Sequence, residues 1–222
     1  MKEKILIIGG AGFIGHNLSI FLKKKKYDVT IVDNFAINNL ISLKKKRKFA
    51  LKNFYLKLLK ERISLLKKNK IKIIKEDSRN YHSISRIIDK TKPNYIYHLA
   101  AVAHANVSNK DPFSTFDHSF RTLENVLDAS RNLKSLKRLI FLSSSMVYGN
   151  FKTNTVNETT ECNPLGIYGA LKFGAEKLVI GYNQIFKLPY TIVRPSALYG
   201  ERCVSGRVLQ LFIENALQGQ SL

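Results

Sequence analysis

Short aliphatic and β-branched runs alternate along the whole chain with longer segments whose apolar positions recur at helical spacing. The runs at 4–8, 29–33, 71–74, 95–99, 139–143 and 190–193 are nearly continuous in apolar character, as strands covered on both faces must be. Helical periodicity predicts helices near 14–26, 51–68, 81–90, 113–132, 168–186 and 206–218. Strand and helix in alternation imply an α/β fold, a doubly wound parallel sheet with helices on both faces. In the second helix Leu51, Phe54, Tyr55, Leu58, Leu59, Leu65 and Leu66 stand at helical spacing, with lysines and Arg62 on the other side. That helix sits in a long basic insertion, about 36–70, between the second and third strands, where a turn and one helix normally suffice.

Composition narrows the picture only slightly. The 222 residues are enough for one sizeable core and point to a single α/β domain. No apolar run approaches the roughly 18 residues a membrane span needs, and the four-residue run at 5–8 is short for a signal-peptide core and right for a buried strand. We therefore expect no membrane association. Cys162 and Cys203 are the only cysteines, which fits reduced thiols in the cytoplasm better than a disulfide. The net charge of +21 raises the question of a polyanionic partner, but its excess lies in lysine runs such as 23–26 and 44–46 with few interleaved aromatics. The reading is solvated lysine faces and no specific nucleic-acid partner.

The chemistry begins at the end of the first strand. Gly9, Gly12 and Gly15 form a GxxGxxG loop, with Phe13 and Ile14 opening the helix that follows. A side chain at the first two glycines would block the tight turn or the approach of a pyrophosphate to the backbone, and the third lets helix pack on strand. The amides of the first helical turn then face the phosphates. Asp33 ends the second strand 18 residues after Gly15, where a carboxylate can accept hydrogen bonds from a ribose 2′-hydroxyl. A carboxylate there repels a 2′-phosphate, so the loop and Asp33 together predict NAD binding rather than NADP.

A second set of residues falls at the carboxyl edge of the predicted sheet. Ser143, Ser144, Ser145 and Met146 follow the fifth strand, and 24 residues after Ser144 comes Tyr168, with Lys172 one helical turn further on. A lysine ammonium beside the phenol, with an oxidised nicotinamide close by, favours tyrosinate and makes Tyr168 a usable general base. His16, His82 and His104 are scattered without metal-ligand spacing, so no metal site is expected, and His98 reads as a buried, hydrogen-bonded residue.

The motifs GGAGFIG at 9–15, VDN at 32–34, Asp77 after the third strand, HLAA at 98–101, SSSMVYG at 143–149, YGALK at 168–172 and RPSALYG at 194–200 resemble, as a set, the extended short-chain dehydrogenase/reductases. The resemblance is to the NAD-dependent nucleotide-sugar epimerase/dehydratase family and runs from Lys2 to about Glu201. It implies a Rossmann domain over 1–200, and in 201–222 the start of a small substrate-binding region that is otherwise largely missing. It implies that Asn34, Asp77 and Ser78 belong to the adenosine end of the cofactor site, that Leu99, Ala100 and Ala101 line it, and that Pro195 borders the nicotinamide. Ser144, Tyr168 and Lys172 become the catalytic set, Lys172 also holding the cofactor ribose, with Ser145 and Met146 beside the substrate.

Ser145 and Met146 take the places where sugar 4,6-dehydratases carry an Asp and a Glu. Without those acids the resemblance points to an epimerase, acting on carbon 4 of a UDP-linked hexose or hexuronate by transient oxidation to a ketone. A reductase or decarboxylase of the same family, and a truncated non-catalytic NAD-binding protein, are the alternatives. The resemblance also implies a homodimer through the helices at 113–132 and 168–186. Departures from the family pattern are His118 where an Asn commonly contacts the cofactor, Ala197 where an Asn often touches the substrate, and Leu171 for the usual Ser.

Overall fold

Along the first strand, Ile5 and Ile7 enter one apolar cluster while Leu6 and Ile8 enter another, so both faces of the sheet are covered. The computed structural model of the chain describes residues 2–45, 51–204 and 208–221. Its strands are β1 (Lys4–Ile8), β2 (Asp28–Val32), β3 (Lys72–Ile74), β4 (Tyr95–His98), β5 (Arg138–Leu142) and β6 (Tyr190–Val193). They pair in parallel throughout, in the order β3-β2-β1-β4-β5-β6. The order reverses between β1 and β4, which opens a crevice beyond the carboxyl ends of those two strands, the place where doubly wound sheets bind ligands.

The helices are α1 (Phe13–Lys24), α2 (Leu40–Lys45), α3 (Lys52–Lys68), α4 (Tyr81–Thr91), α5 (Ala105–Lys110), α6 (Pro112–Phe116), α7 (Thr122–Ser130), α8 (Gly166–Phe186) and α9 (Val208–Leu217). Leu22 of α1 and Leu66 of α3 pack on the Ile5 and Ile7 face. Ile84 and Ile88 of α4, Leu123, Val126 and Leu127 of α7, and Ala175 and Val179 of α8 pack on the other. The insertion adds a satellite core in which Leu43 of α2 meets Tyr55 and Leu59 of α3.

Strand positions match the periodicity to within a residue at each end, and α3 falls within the helix expected over 51–68. The helix expected over 113–132 is instead α6, a π-helical turn at Asp117–Arg121, and α7. Both local and tertiary bonds hold the widened turn. Arg79 and Arg121 hold Asp117, the Ser119 hydroxyl accepts from the Val102 amide, and Thr122 Oγ1 bonds back to the carbonyls of His118 and Ser119. The short helices α2 and α5 lie in segments without a helical period of their own. Asn39 starts α2, its Oδ1 accepting from the Leu40 amide at 2.9 Å while its Nδ2 donates to the Ala11 carbonyl at 3.1 Å. Lys46 of the lysine run at 44–46, the stretch 46–50 of the insertion, and the first two positions of the helix expected over 206–218 lie outside the described residues. Among the described residues, no helix is long and apolar enough to cross a membrane.

Candidate active site

The cofactor loop is shaped by close backbone packing. Gly9 has φ +82°, and a Cβ there would stand 2.7 Å from the Ala100 amide nitrogen, which brings Leu99 and Ala100 beside the loop. A Cβ on Gly15 would stand 2.5 Å from the Gly9 carbonyl oxygen, so α1 can approach the loop only with glycine there. Gly12 caps α1, and the amides of Phe13 and Ile14 open the first turn, where no earlier carbonyl of the helix can take them. This cradle fits a dinucleotide pyrophosphate.

Asp33 closes the adenosine side. Its Oδ2 accepts from the Ala11 amide at 2.9 Å and its Oδ1 from the Phe35 amide at 2.7 Å, leaving each oxygen a lone pair for a ribose hydroxyl. Burial pushes the Asp33 carboxyl above the ordinary range, against the pull of the two amides and the Arg62 charge. Asn34 donates to Asp77 at 2.9 Å, and Arg79 chelates the same carboxylate. Burial alone would raise the Asp77 pKa, but the bonds from Arg79 and Asn34 outweigh it and bring it down to about 2. Ser78 is buried, its carbonyl held by Asn125 Nδ2 at 3.0 Å.

At the other end of the crevice, Lys172 is buried, with Nζ 2.6 Å from the Leu142 carbonyl and 5.0 Å from the centre of the Phe141 ring. Burial brings its pKa down to about 8, the nearby Glu176 acting in the opposite sense. Tyr168 and Lys172 line one cavity with Thr115, Ser119, Phe141 and Leu171. Ser144 is buried at the start of a short 3-10 turn (Ser145–Tyr148), and its Oγ accepts from the Met146 amide at 3.2 Å. The beginning of α8 is pressed onto that turn, since a Cβ on Gly169 would stand 2.8 Å from the Met146 carbonyl oxygen. Pro195 closes the group, its carbonyl accepting from the Ser145 amide at 3.0 Å. On this turn Met146 is exposed and Ser145 half-buried; Ala197, further along the chain, is exposed.

Several residues of the site are not evident from sequence pattern. Glu176 is buried one helical turn beyond Lys172 and accepts from Ser143 Oγ, and from Arg194 through Nε at 2.9 Å and Nη2 at 2.7 Å. Arg194 also donates to the Tyr148 hydroxyl at 3.0 Å, which in turn donates to the Asn157 carbonyl. One carboxylate thus ties the ends of β5 and β6 to α8. A glutamate on the same helix face as Ala175 and Val179, one turn after Lys172, is the signal that could have found it. Gly10 stands at a variable position of the glycine motif, yet a Cβ there would run into the Ile31 side chain. The residue of the π turn that lines the cavity of Tyr168 and Lys172 is Ser119, whereas His118 has burial, Arg79, Asp77 and Asp117 as its electrostatic surroundings. His98 is buried as expected, with Nε2 3.2 Å from Thr122 Oγ1, while its Nδ1 has no partner among the described residues. Among the described residues no group of His, Cys, Asp or Glu is arranged to hold a metal.

A 3-2-1-4-5-6 parallel sheet with a glycine cradle at its switch point and a Ser, Tyr and Lys set at its carboxyl edge defines a dinucleotide-binding protein of the short-chain dehydrogenase type. The sequence profile of the NAD dependent epimerase/dehydratase family matches residues 5–222, and the chain belongs to that family, whose cofactor is NAD. A dTDP-D-glucose 4,6-dehydratase of Dictyostelium discoideum is 31% identical over 98% of this chain and 49% of its own length. An uncharacterized UDP-glucose epimerase of Bacillus subtilis is 33% identical over 99% of this chain and 64% of its own length. Among solved structures, a UDP-glucuronic acid 4-epimerase of Bacillus cereus in complex with UDP-glucuronic acid and NAD superposes with a TM-score of 0.84 at 29% identity, over 99% of this chain and 64% of that one. The chain therefore spans between about half and two thirds of the length of these relatives.

Proposed function

We propose that the protein is a nucleotide-sugar 4-epimerase acting on a UDP-hexose or UDP-hexuronate. The observation that carries this reading is the apposition of α8 and the serine turn. Gly169 seats the start of the helix on the Met146 carbonyl, so Tyr168 and Lys172 share a crevice end with Ser144. In this reading Tyr168 takes the proton from the sugar 4-hydroxyl and returns it, while Ser144 shares that hydrogen bond. Lys172, buried and cationic, stabilises the tyrosinate and holds the cofactor ribose. NAD, when bound, would supply a reversible hydride acceptor and so be recycled rather than consumed, with Lys172 and Pro195 at its nicotinamide end. Inversion requires the 4-keto sugar to present its other face before it is reduced again.

Ser145 and Met146 carry no acid or base, which supports epimerisation over loss of water from the sugar. Ser145, Met146, Ser144 and Tyr168 are the residues assigned to the sugar. Gly9, Gly12, Phe13, Ile14, Gly15, Asp33, Asn34, Asp77, Ser78, Leu99, Ala100, Ala101, Tyr168, Lys172 and Pro195 are assigned to NAD. We place the reaction in the cytoplasm, where nucleotide sugars and the thiols of Cys162 and Cys203 are both at home. We assign a homodimer to the helical stretches 113–132 and 168–186, which carry exposed Phe113, Phe116 and Ile185. Tyr168→Phe is the direct test: the variant keeps bound NAD and loses sugar interconversion by at least about a hundredfold. Undiminished turnover in Tyr168→Phe rules this mechanism out.

A further inference from the structure

We propose that the segment 200–204 is a strap that retains the dinucleotide, latched across the phosphate loop by Arg202 and the insertion residue Arg62. The proposal rests on the cofactor and not on the identity of the sugar. After leaving β6 past Pro195, the chain crosses to the start of α1, where a Cβ on Gly200 would stand 3.6 Å from the Phe13 ring. Phe13 is the first residue of the helix whose amides face the pyrophosphate. The strap thus lies against the outer lip of the phosphate cradle.

Arg202 fastens it. Its Nε donates to His16 Nε2 at 3.0 Å and its Nη2 to Asn17 Oδ1 at 3.1 Å, both on α1, while Nη1 lies 3.4 Å from Glu61 of α3. The residue is held at φ +62°, a left-handed conformation that a residue with a side chain rarely adopts, so the contacts impose it. From below, the Arg62 side chain, 1% exposed, donates Nε at 3.1 Å and Nη2 at 2.5 Å to the Arg202 carbonyl oxygen. Val204 then packs on the Leu43, Tyr55 and Leu59 cluster of the insertion.

Arg62 also reaches toward the cofactor site. Its Nη1 has no hydrogen-bond partner among the described residues, and its charge lies close enough to Asp33 to favour the ionised carboxylate. A buried guanidinium is a costly group to keep on a helix that merely fills a link. Its role becomes intelligible if α3 is the anchor of the strap. The long insertion then serves to present Arg62 and a small apolar seat to a segment 140 residues away. For NAD to leave, the strap must lift from Phe13, and the bonds of Arg202 must break first.

The test measures cofactor release from the full chain with no sugar present. NAD-loaded protein is diluted and passed through a desalting column at intervals, and the NAD still bound is counted after denaturation. Arg202→Ala is expected to release NAD about tenfold or more faster than the parent chain, with Lys152→Ala, an exposed control, unchanged. Since Arg62→Met removes a buried group and is apt to unfold, hydrogen exchange on the unaltered protein supplies the second measurement. Amides of 200–204 should exchange more slowly with NAD bound than without it. Release from Arg202→Ala at the parental rate, or equal exchange in both states, overturns the proposal. Neither readout involves sugar turnover, so failure of the epimerase assignment leaves this test intact.

Discussion

Replacing Glu176 by Gln removes the carboxylate charge that binds the ends of two strands to α8. The Glu176 side chain is 2% exposed and accepts from Ser143 Oγ and from two nitrogens of Arg194, whose own side chain is 20% exposed. Removing one partner of a buried ion pair costs about 3–5 kcal/mol, because the other charge stays buried and unmatched. Gln keeps the shape and one acceptor oxygen, which places the loss near the lower end, at about 3 kcal/mol. For a chain of this size each kcal/mol lowers the melting temperature by roughly 2–4 °C, so Glu176→Gln should melt about 6–12 °C lower at pH 7.5 by circular dichroism. Pairing it with Arg194→Met removes both charges together. The double variant should then be more stable than the sum of the single losses predicts, by about 1.5 kcal/mol or more. A single-variant drop below about 2 °C, or strict additivity in the cycle, would refute the reasoning.

Three further outcomes follow from the same geometry. Gly169→Ala puts a Cβ 2.8 Å from the Met146 carbonyl and shifts α8 from the serine turn, so turnover should fall at least about tenfold while NAD content, read by absorbance, stays unchanged. Asp33→Asn should weaken NAD by roughly tenfold in calorimetric titration and narrow its preference over NADP; unaltered selectivity would contradict the ribose assignment. The third concerns acid. Burial first, then neighbouring cations, lower the pKa of His16 to about 4 and of His98 to about 3, from 6.5 in the unfolded chain. The unfolded state therefore binds these protons first, and their contribution to stability is lost as pH falls from 6.5 through the folded values. His98→Gln should flatten the slope of urea midpoint against pH between 6.5 and 4.5, with the opposing contribution of Asp33 common to both proteins; an unchanged slope counts against the buried neutral histidine.

What could be read from the chain alone was whatever depends on neighbours in sequence. The continuous apolar run from Ile5 to Ile8 and the helical period of α3 predict their elements because local packing decides them. Gly9, Gly15 and Asp33 were legible for the same reason, since a turn followed by a helix leaves few residue types free. The π turn at Asp117–Arg121 was not, since among its bonds is one from Arg79, far back in the chain, to Asp117. Glu176 gains its meaning from Ser143, 33 residues earlier, and Arg194, 18 residues later, and Arg62 from Arg202, 140 residues later. Lysine surplus concealed Arg62 further, since one buried guanidinium among so many exposed cations leaves no trace in composition.

The central claim is tested most directly by incubating the purified chain with UDP-glucose, UDP-glucuronate and their N-acetylated counterparts, without added NAD, and following the sugar by proton NMR. The account predicts that one of these is converted to its 4-epimer while the bound NAD remains oxidised and undiminished in amount. Release of carbon dioxide, loss of water from the sugar, or net reduction of NAD would contradict the epimerase assignment, and an unchanged sugar in every case would contradict it as well.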